Sequence, residues 1–242
     1  MNYARLNILG GWLVFLVTTV VYTLTLEPTM PFWDCGEFIA SANRLEVGHP
    51  PGAPFFMLIA RVFSAFASPE KVPYMVNFLS AICSAATVMF LFWSITHMAK
   101  KIADRAGEIN AGRIAAILGS GLIGSLAYTF SDTFWFSGVE GEVYAMSSLF
   151  TAAVFWAILK WESVADQGNE LRWIVLIAYL MGLSIGVHLL NLLAIPAICF
   201  VYYFKRYEVT RKGVIFTGLV SLALLALIQT GIIIWFVQLA GF

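Results

Sequence analysis

A chain of 242 residues that is 60% hydrophobic and only 12% charged, with a mean hydropathy of +0.84, is of the α-helical membrane class. Its 14 basic and 14 acidic residues cancel, and no Lys/Arg cluster stands among stacking aromatics, which argues against a nucleic-acid partner. Cys35, Cys83 and Cys199 are odd in number and two lie inside apolar runs, so no disulfide framework is expected.

The first apolar run, 6–26, has Arg5 at its start and lacks a small-residue cleavage pattern, so it reads as a spanning helix and not a signal peptide. An outer loop, 27–72, follows. Within it Pro31 to Pro54 reads PFWDCGEFIASANRLEVGHPPGAP and holds Asp34, Glu37, Arg44, Glu46 and His49. A helix over 33–46 would align Asp34, Glu37, Ser41 and Arg44 as one polar stripe, with Phe38, Ile39, Ala42 and Leu45 on the other face. Residues 53–67 are apolar around Arg61 but would make a helix only about 22 Å long, short of the roughly 30 Å hydrocarbon core. They are expected to form a juxtamembrane helix, interfacial or re-entrant. Ser68-Pro69-Glu70 then looks like a helix start.

The second span, 74–98, ends at Lys100, Lys101 and Arg105; Asn110 can cap a third, 114–128; a fourth covers 144–161. Residues 171–204 would be about 51 Å long as one helix, too long for an ordinary span. Arg172 sits at one end and Lys205 and Arg206 at the other, so a hairpin of spans 171–187 and 189–204 puts all three on one side. Its reversal falls near Gly186 to Asn191, with His188 and Asn191 close to the outer face. The last span is 214–236. The expected architecture is all-α and integral to the membrane: a single module, 1–242, of about seven transmembrane helices with a juxtamembrane helix in the first outer loop.

With the N-terminus in the cytoplasm, 11 of the 14 basic residues lie inside and only Arg44, Arg61 and Lys71 outside. Glu27, Asp34, Glu37, Glu46, Glu70, Asp132, Glu140 and Glu142 then face the periplasm or an equivalent lumen. Ser137-x-x-Glu140 matches a capping box for the fourth span, a structural use of one carboxylate. Glu142 enters the membrane and should face protein or a cavity. His188 reads equally as a core histidine or a ligand, and Asn191 as a ligand or an interhelical hydrogen-bonding residue. The 31–54 stretch itself reads as a site, the alternative being an ordinary solvated loop.

Carboxylates at an outer membrane surface above apolar helices suit a donor whose leaving group is a lipid phosphate. Its polyprenyl chain would lie between spans, Arg44 or Arg61 would neutralise the phosphate, and a carboxylate would take the proton of an attacking hydroxyl. One base with direct displacement gives inversion; a covalent route needs a second carboxylate as nucleophile. The acids show no tight metal-ligand pattern, although paired carboxylates can hold Mg²⁺ or Mn²⁺. A transporter or flippase is the rival class, disfavoured by acids gathered on one face and by the lack of an internal repeat. A structural membrane subunit with a degenerate pocket is a third.

Asp34-Cys35-Gly36-Glu37-Phe38-Ile39, His49-Pro50-Pro51-Gly52-Ala53-Pro54 and Val139-Glu140-Gly141-Glu142-Val143-Tyr144-Ala145 resemble a bacterial membrane family of the glycosyltransferase C superfamily. That family is related to the animal transmembrane O-mannosyltransferase acting on plexin-type receptors. The resemblance implies an inverting transferase in the bacterial cytoplasmic (inner) membrane, moving a sugar, mannose by analogy, from a polyprenyl phosphate to Ser or Thr of a protein acceptor. It implies Asp34 as the base with Glu37 as partner, and His49 with the paired prolines as the turn into the juxtamembrane helix. Glu140, Glu142, His188 and Asn191 are assigned to the pocket from topology. Such families continue into further segments, so a minimal catalytic module, a truncated chain and a dependence on further subunits are all open.

Overall fold

The computed structural model describes residues 2–50, 52–168 and 170–240; Pro51, one of the two prolines expected to shape the turn, lies outside them. All regular structure among the described residues is helical. Helix α1 (Tyr3–Leu24) is capped by Asn2, whose side chain accepts from the Ala4 N–H. Two short helices follow, α2 (Cys35–Arg44) and α3 (Pro54–Ser64), and a 3-10 turn (Pro69–Lys71) leads into the longest, α4 (Val72–Arg105). The remainder are α5 (Ala111–Thr129), α6 (Asp132–Gly138), α7 (Val143–Val164), α8 (Leu171–Ile185), a 3-10 turn (Leu189–Leu193), α9 (Ala194–Arg206) and α10 (Arg211–Ala226). A π turn (Leu227–Ile233) then leads to α11 (Ile234–Ala240).

Six helical stretches are long and apolar enough to cross a membrane: Tyr3–Leu24, Pro69–Arg105, Ala111–Thr129, Val143–Val164, Leu189–Arg206 and Arg211–Ile233. The fifth expected span, 171–187, falls short of that length, because the chain leaves helical geometry at Gly186 and α8 keeps 15 residues, about 22 Å. The reversal expected at 186–191 is present. Lys205 Nζ lies 2.6 Å from Asp166 Oδ2 and Arg206 Nη2 lies 3.1 Å from Glu170 Oε1, so the end of α9 returns to the link before α8. Asn110 caps α5 as its sequence predicts, its side chain accepting from the Arg113 N–H at 2.9 Å. Cys35, Cys83 and Cys199 are all free thiols.

Helix α4 is the mast on which α1, α5 and α7 pack. Lipid is as apolar as leucine, so association of these helices rests on close packing and interhelical hydrogen bonds, not on escape from water. Close packing comes from Gly10 and Gly11 of α1, set against the rings of Phe92 and Trp93, where a side chain would collide. Hydrogen bonds do the rest. The Tyr22 hydroxyl donates to the Thr129 carbonyl at 2.7 Å, and the Thr18 and Thr129 hydroxyls meet at 3.2 Å.

At one end of the mast, α2 and α3 form a shelf. The apolar face expected of α2 turns onto protein: Phe38, Ile39 and Ala42 are buried with Phe56, Met57 and Ala60 of α3 and Val76 and Leu79 of α4. Leu45, expected on the same face, is exposed, because it ends α2 in a left-handed conformation. Pro54 starts α3 without an N–H to lose, and the next two amides, Phe55 and Phe56, donate to the Gly186 carbonyl at 2.7 and 3.3 Å. Asn77 of α4 is fully buried and donates through Nδ2 to the carbonyls of Glu27 and Thr29, at 2.7 and 3.0 Å, pinning the chain as it leaves α1.

Replacing Asn77 by Ala removes both hydrogen bonds and leaves a void where the buried amide stood. The expected loss is about 1–3 kcal/mol, read as a fall in the thermal midpoint of the purified protein, with cleavage by added protease rising in residues 25–34.

Candidate functional site

The shelf brings three separate segments together: the start of α2, the α6–α7 loop and the α8–α9 reversal. Asp34 is the N-cap residue of α2, and Trp33 before it is held at φ +65°. Ala53, at the start of α3, is at φ +39°. Left-handed backbone at non-glycine residues costs of order 1–3 kcal/mol each, and the packed shelf holds both in place.

Glu37 lies one turn into α2 and grips His49 twice. The His49 N–H donates to Oε1 at 2.6 Å, and His49 Nδ1 lies 3.1 Å from Oε2. Those two contacts, the backbone one first, hold the Glu37 carboxyl below its ordinary range. His49 Nε2 then stands 3.9 Å from Asp34 Oδ2, beyond hydrogen-bond length but close enough for a protonated ring to feel the carboxylate. The order is Glu37, His49, Asp34, with the imidazole ring between the two acids and packed on Phe38.

Glu140 and Glu142 are buried, 5% and 7% exposed, on either side of Gly141. The expected capping box is absent. Ser137 lies inside α6, α7 begins only at Val143, and its N-cap residue is Glu142 without a side-chain cap bond. The Glu140 carboxyl instead lies beside the thiol of Cys35, which is fully buried. Burial, and then the neighbouring Glu142 charge, push Glu140 up to about 7. Burial, reinforced by Glu140 and Glu142, pushes the Cys35 thiol up to about 12, which keeps it neutral. Glu142 is also raised, by burial and then by Asp34, with His49 opposing. Gly141 permits the arrangement, since a Cβ there would lie 2.8 Å from Asn77 Oδ1 and 3.2 Å from Ile39 Cγ1.

Asp34, His49, Ala53, Glu142, Tyr144 and His188 line a cavity of about 90 Å³ together with Phe38, Gly52, Val143 and Val187. His188 Nδ1 accepts the Leu190 N–H at 3.1 Å, so a neutral ring carries its proton on Nε2, and the ring packs on Tyr144. Below the cavity, one face of α7 continues from Tyr144 through Ser148, Thr151, Ala152 and Phe155, at spacings of 4, 3, 1 and 3. These last four residues, with Thr87, Leu91, Tyr128, Leu190, Leu193 and Ala197, line an apolar groove of about 680 Å³.

Of the residues singled out by sequence, Asp34, His49, Glu142 and His188 line the cavity, with Glu37 and Glu140 directly behind. The structure does not bring Arg44, Arg61 or Asn191 into its lining. Arg44 is exposed and, among the described residues, meets only Glu46, at 3.8 Å. Arg61 donates from Nη1 to the carbonyl and the side-chain oxygen of Asn43, at 2.7 and 3.0 Å, tying α3 to the end of α2. Asn191 is fully buried and donates to Ser184 Oγ at 2.8 Å, bracing the α8–α9 reversal. Cys35 and Tyr144 had no role assigned from sequence. Cys35 lies between two acids that were singled out, and Tyr144 lies two residues past Glu142, but only the fold shows what each touches. Among the described residues no group of three or more His, Cys, Asp or Glu side chains is arranged to hold a metal ion.

Residues 34–211 match the family of the protein O-mannosyl-transferase TMEM260 N-terminal domain. The chain is 27% identical over 176 residues to the mouse protein O-mannosyl-transferase TMEM260, covering 73% of this chain and 23% of that protein. It is 25% identical over 191 residues to the Dictyostelium discoideum protein O-mannosyl-transferase tmem260, covering 74% and 21%. The chain therefore spans less than a quarter of the length of these curated relatives. No solved structure matches it.

Glu140 binds a proton more readily in the folded than in the unfolded chain, where its ordinary value is 4.5. Its contribution to stability is whole below about pH 4.5 and is lost as pH rises through about 7. The thermal midpoint is expected to fall between about pH 5 and pH 8, and Glu140→Gln, neutral throughout, to flatten that fall in differential scanning fluorimetry.

Proposed function

Because this chain belongs to the family of the protein O-mannosyl-transferase TMEM260 N-terminal domain, we propose that it is the membrane-embedded catalytic module of a protein O-mannosyltransferase. The observation that carries this reading is the acidic cavity at the head of an apolar groove along a single face of α7. A polyprenyl chain occupies the groove, its phosphate lies at the Tyr144–His188 junction, and the mannose meets Asp34 at the cavity. The cavity has room for about three waters, enough for the reacting edge of a sugar, with the rest of the ring outside.

The Ser or Thr hydroxyl of the acceptor attacks the anomeric carbon as its proton passes to the Asp34 carboxylate. The bond from that carbon to the phosphate oxygen breaks, and the pair of electrons leaves with the polyprenyl phosphate. One displacement inverts the anomeric centre. His49, held by Glu37, stands beside Asp34 to receive the proton next. His188 Nε2–H offers a donor to the departing phosphate, a role that the sequence reading gave to Arg44 or Arg61. With a proton held on Glu140, the buried pair leaves the Glu142 carboxylate as the negative charge beneath a developing positive charge on the sugar. The basic ends of α4, α9 and α10 support an orientation with the N-terminus in the cytoplasm and the cavity on the opposite face.

The test uses the purified chain with polyprenyl-phosphate mannose and a Ser/Thr-rich acceptor peptide, with transfer followed by mass spectrometry. Asp34→Asn is expected to lower turnover by about 10²–10⁴ while the thermal midpoint holds. Undiminished turnover in that variant would remove Asp34 as the base. Ala152→Trp, which fills the groove, is expected to raise KM for a long-chain donor and leave a short-chain donor unaffected. Equal effects on both would place the lipid elsewhere.

A further inference from the structure

A second polar cavity lies at the other end of the mast. It measures about 400 Å³ and is lined by Asn7 of α1, Trp93, His97 and Lys100 of α4, and Trp156 and Lys160 of α7. Asn77, at the catalytic end, and His97 are twenty residues apart on α4, about 30 Å along its axis, so the two cavities are separated by a membrane thickness. Nothing in the proposed transfer reaction uses this second one.

Two of its polar atoms are left without partners. His97 Nε2 and Asn7 Oδ1 are both shielded from solvent with no hydrogen-bond partner among the described residues, an arrangement that costs stability unless a ligand answers it. Lys160 Nζ lies 5.4 Å from the centre of the Trp156 ring and pairs with no carboxylate among the described residues. The nearby acids are engaged: Asp104 with Lys100 at 2.6 Å, and Glu162 with Lys101. The cavity therefore presents one free ammonium, a second held by a pair on its own helix, an imidazole nitrogen and an amide that can turn to offer its NH₂. All of these suit an oxyanion.

The surroundings suit a lipid. Trp93 and Trp156 flank the cavity as an interfacial aromatic pair, and beside it α1 exposes Ile8 and Trp12, 53% and 52%, as an apolar face for acyl chains. We propose that this cavity binds the phosphodiester headgroup of an anionic phospholipid from the leaflet at the Lys100–Lys160 end, with its chains lying along α1. Such a lipid bridges α1 and α7, both of which pack on α4.

Native mass spectrometry of the purified protein, offered phosphatidylglycerol or phosphatidylcholine in detergent, tests this. One phosphatidylglycerol is expected to be retained per chain in preference to phosphatidylcholine. Lys160→Gln is expected to weaken retention roughly five-fold, and Lys100→Gln with Lys160→Gln roughly 25-fold, at the usual worth of a lysine near an anionic headgroup. Lys160→Arg should retain the lipid, and Lys212→Gln, an exposed basic residue at the start of α10, should change nothing. Equal retention of both lipids, an unaffected double variant, or displacement of the lipid by inorganic phosphate would each overturn the proposal. A phosphatidylglycerol with a diazirine on its chain should crosslink to α1 near Ile8 and Trp12 in the unsubstituted protein. Crosslinking elsewhere alone would also overturn it.

Discussion

The site depends on keeping two carboxyls, Glu140 and Glu142, out of water and next to one another. Each is strongly disfavoured as an anion there, and two anions side by side are worse still. The fold meets this by setting the neutral Cys35 thiol beside Glu140 and by letting Glu140 hold a proton near neutrality. Gly141 is the geometric condition, since only a residue without Cβ lets the loop lie this close to Asn77 and Ile39. Asn77 in turn pins the chain that leads from α1 toward Asp34. The buried acids, the glycine, the amide and the loop that carries Asp34 form one connected arrangement.

The next layer is orientation. Asp34 is placed by the start of a helix whose apolar face is locked into the shelf, and His49 is placed by two contacts to Glu37. Left-handed backbone at Trp33, just before α2, and at Ala53, just before α3, is a cost borne by the packing of those two helices. A backbone fixed in this way limits where the Asp34 and His49 side chains can reach, the structural condition for proximity and orientation effects. Arg61 contributes at one remove, by tying α3 to α2 rather than by reaching the cavity.

The membrane shapes the remainder. Helices that gain nothing from hiding apolar surface associate through small residues and hydrogen bonds, as α1 does on α4 and α5 does on α1. Packing of that kind leaves gaps where side chains diverge. One gap is the groove along α7, on the helix face that begins at Tyr144 of the acidic cavity, and another is the basic cavity between α1 and α7. Both are lined by α4 and α7, so these two helices run from the acidic end to the basic end of the molecule.

Sequence by itself determined the membrane class, most helix positions, the Asn110 cap, the α8–α9 hairpin and the acidic stretch from Asp34 to His49. These follow from hydropathy, local charge and capping chemistry, which act over a few residues or along one helix. It also singled out Glu140, Glu142 and His188 by the side on which they emerge. Only the tertiary structure decided that Glu140 meets Cys35 and does not cap α7, that Arg61 is engaged by Asn43, that Asn191 braces a turn, and that Tyr144 lines the cavity. It also decided that α8 stops short of a full span at Gly186, where the chain receives the amides of α3. The partners in each case are distant in the chain or meet through local backbone geometry, and a hydrogen bond or a close approach depends on positions in space that no periodicity encodes.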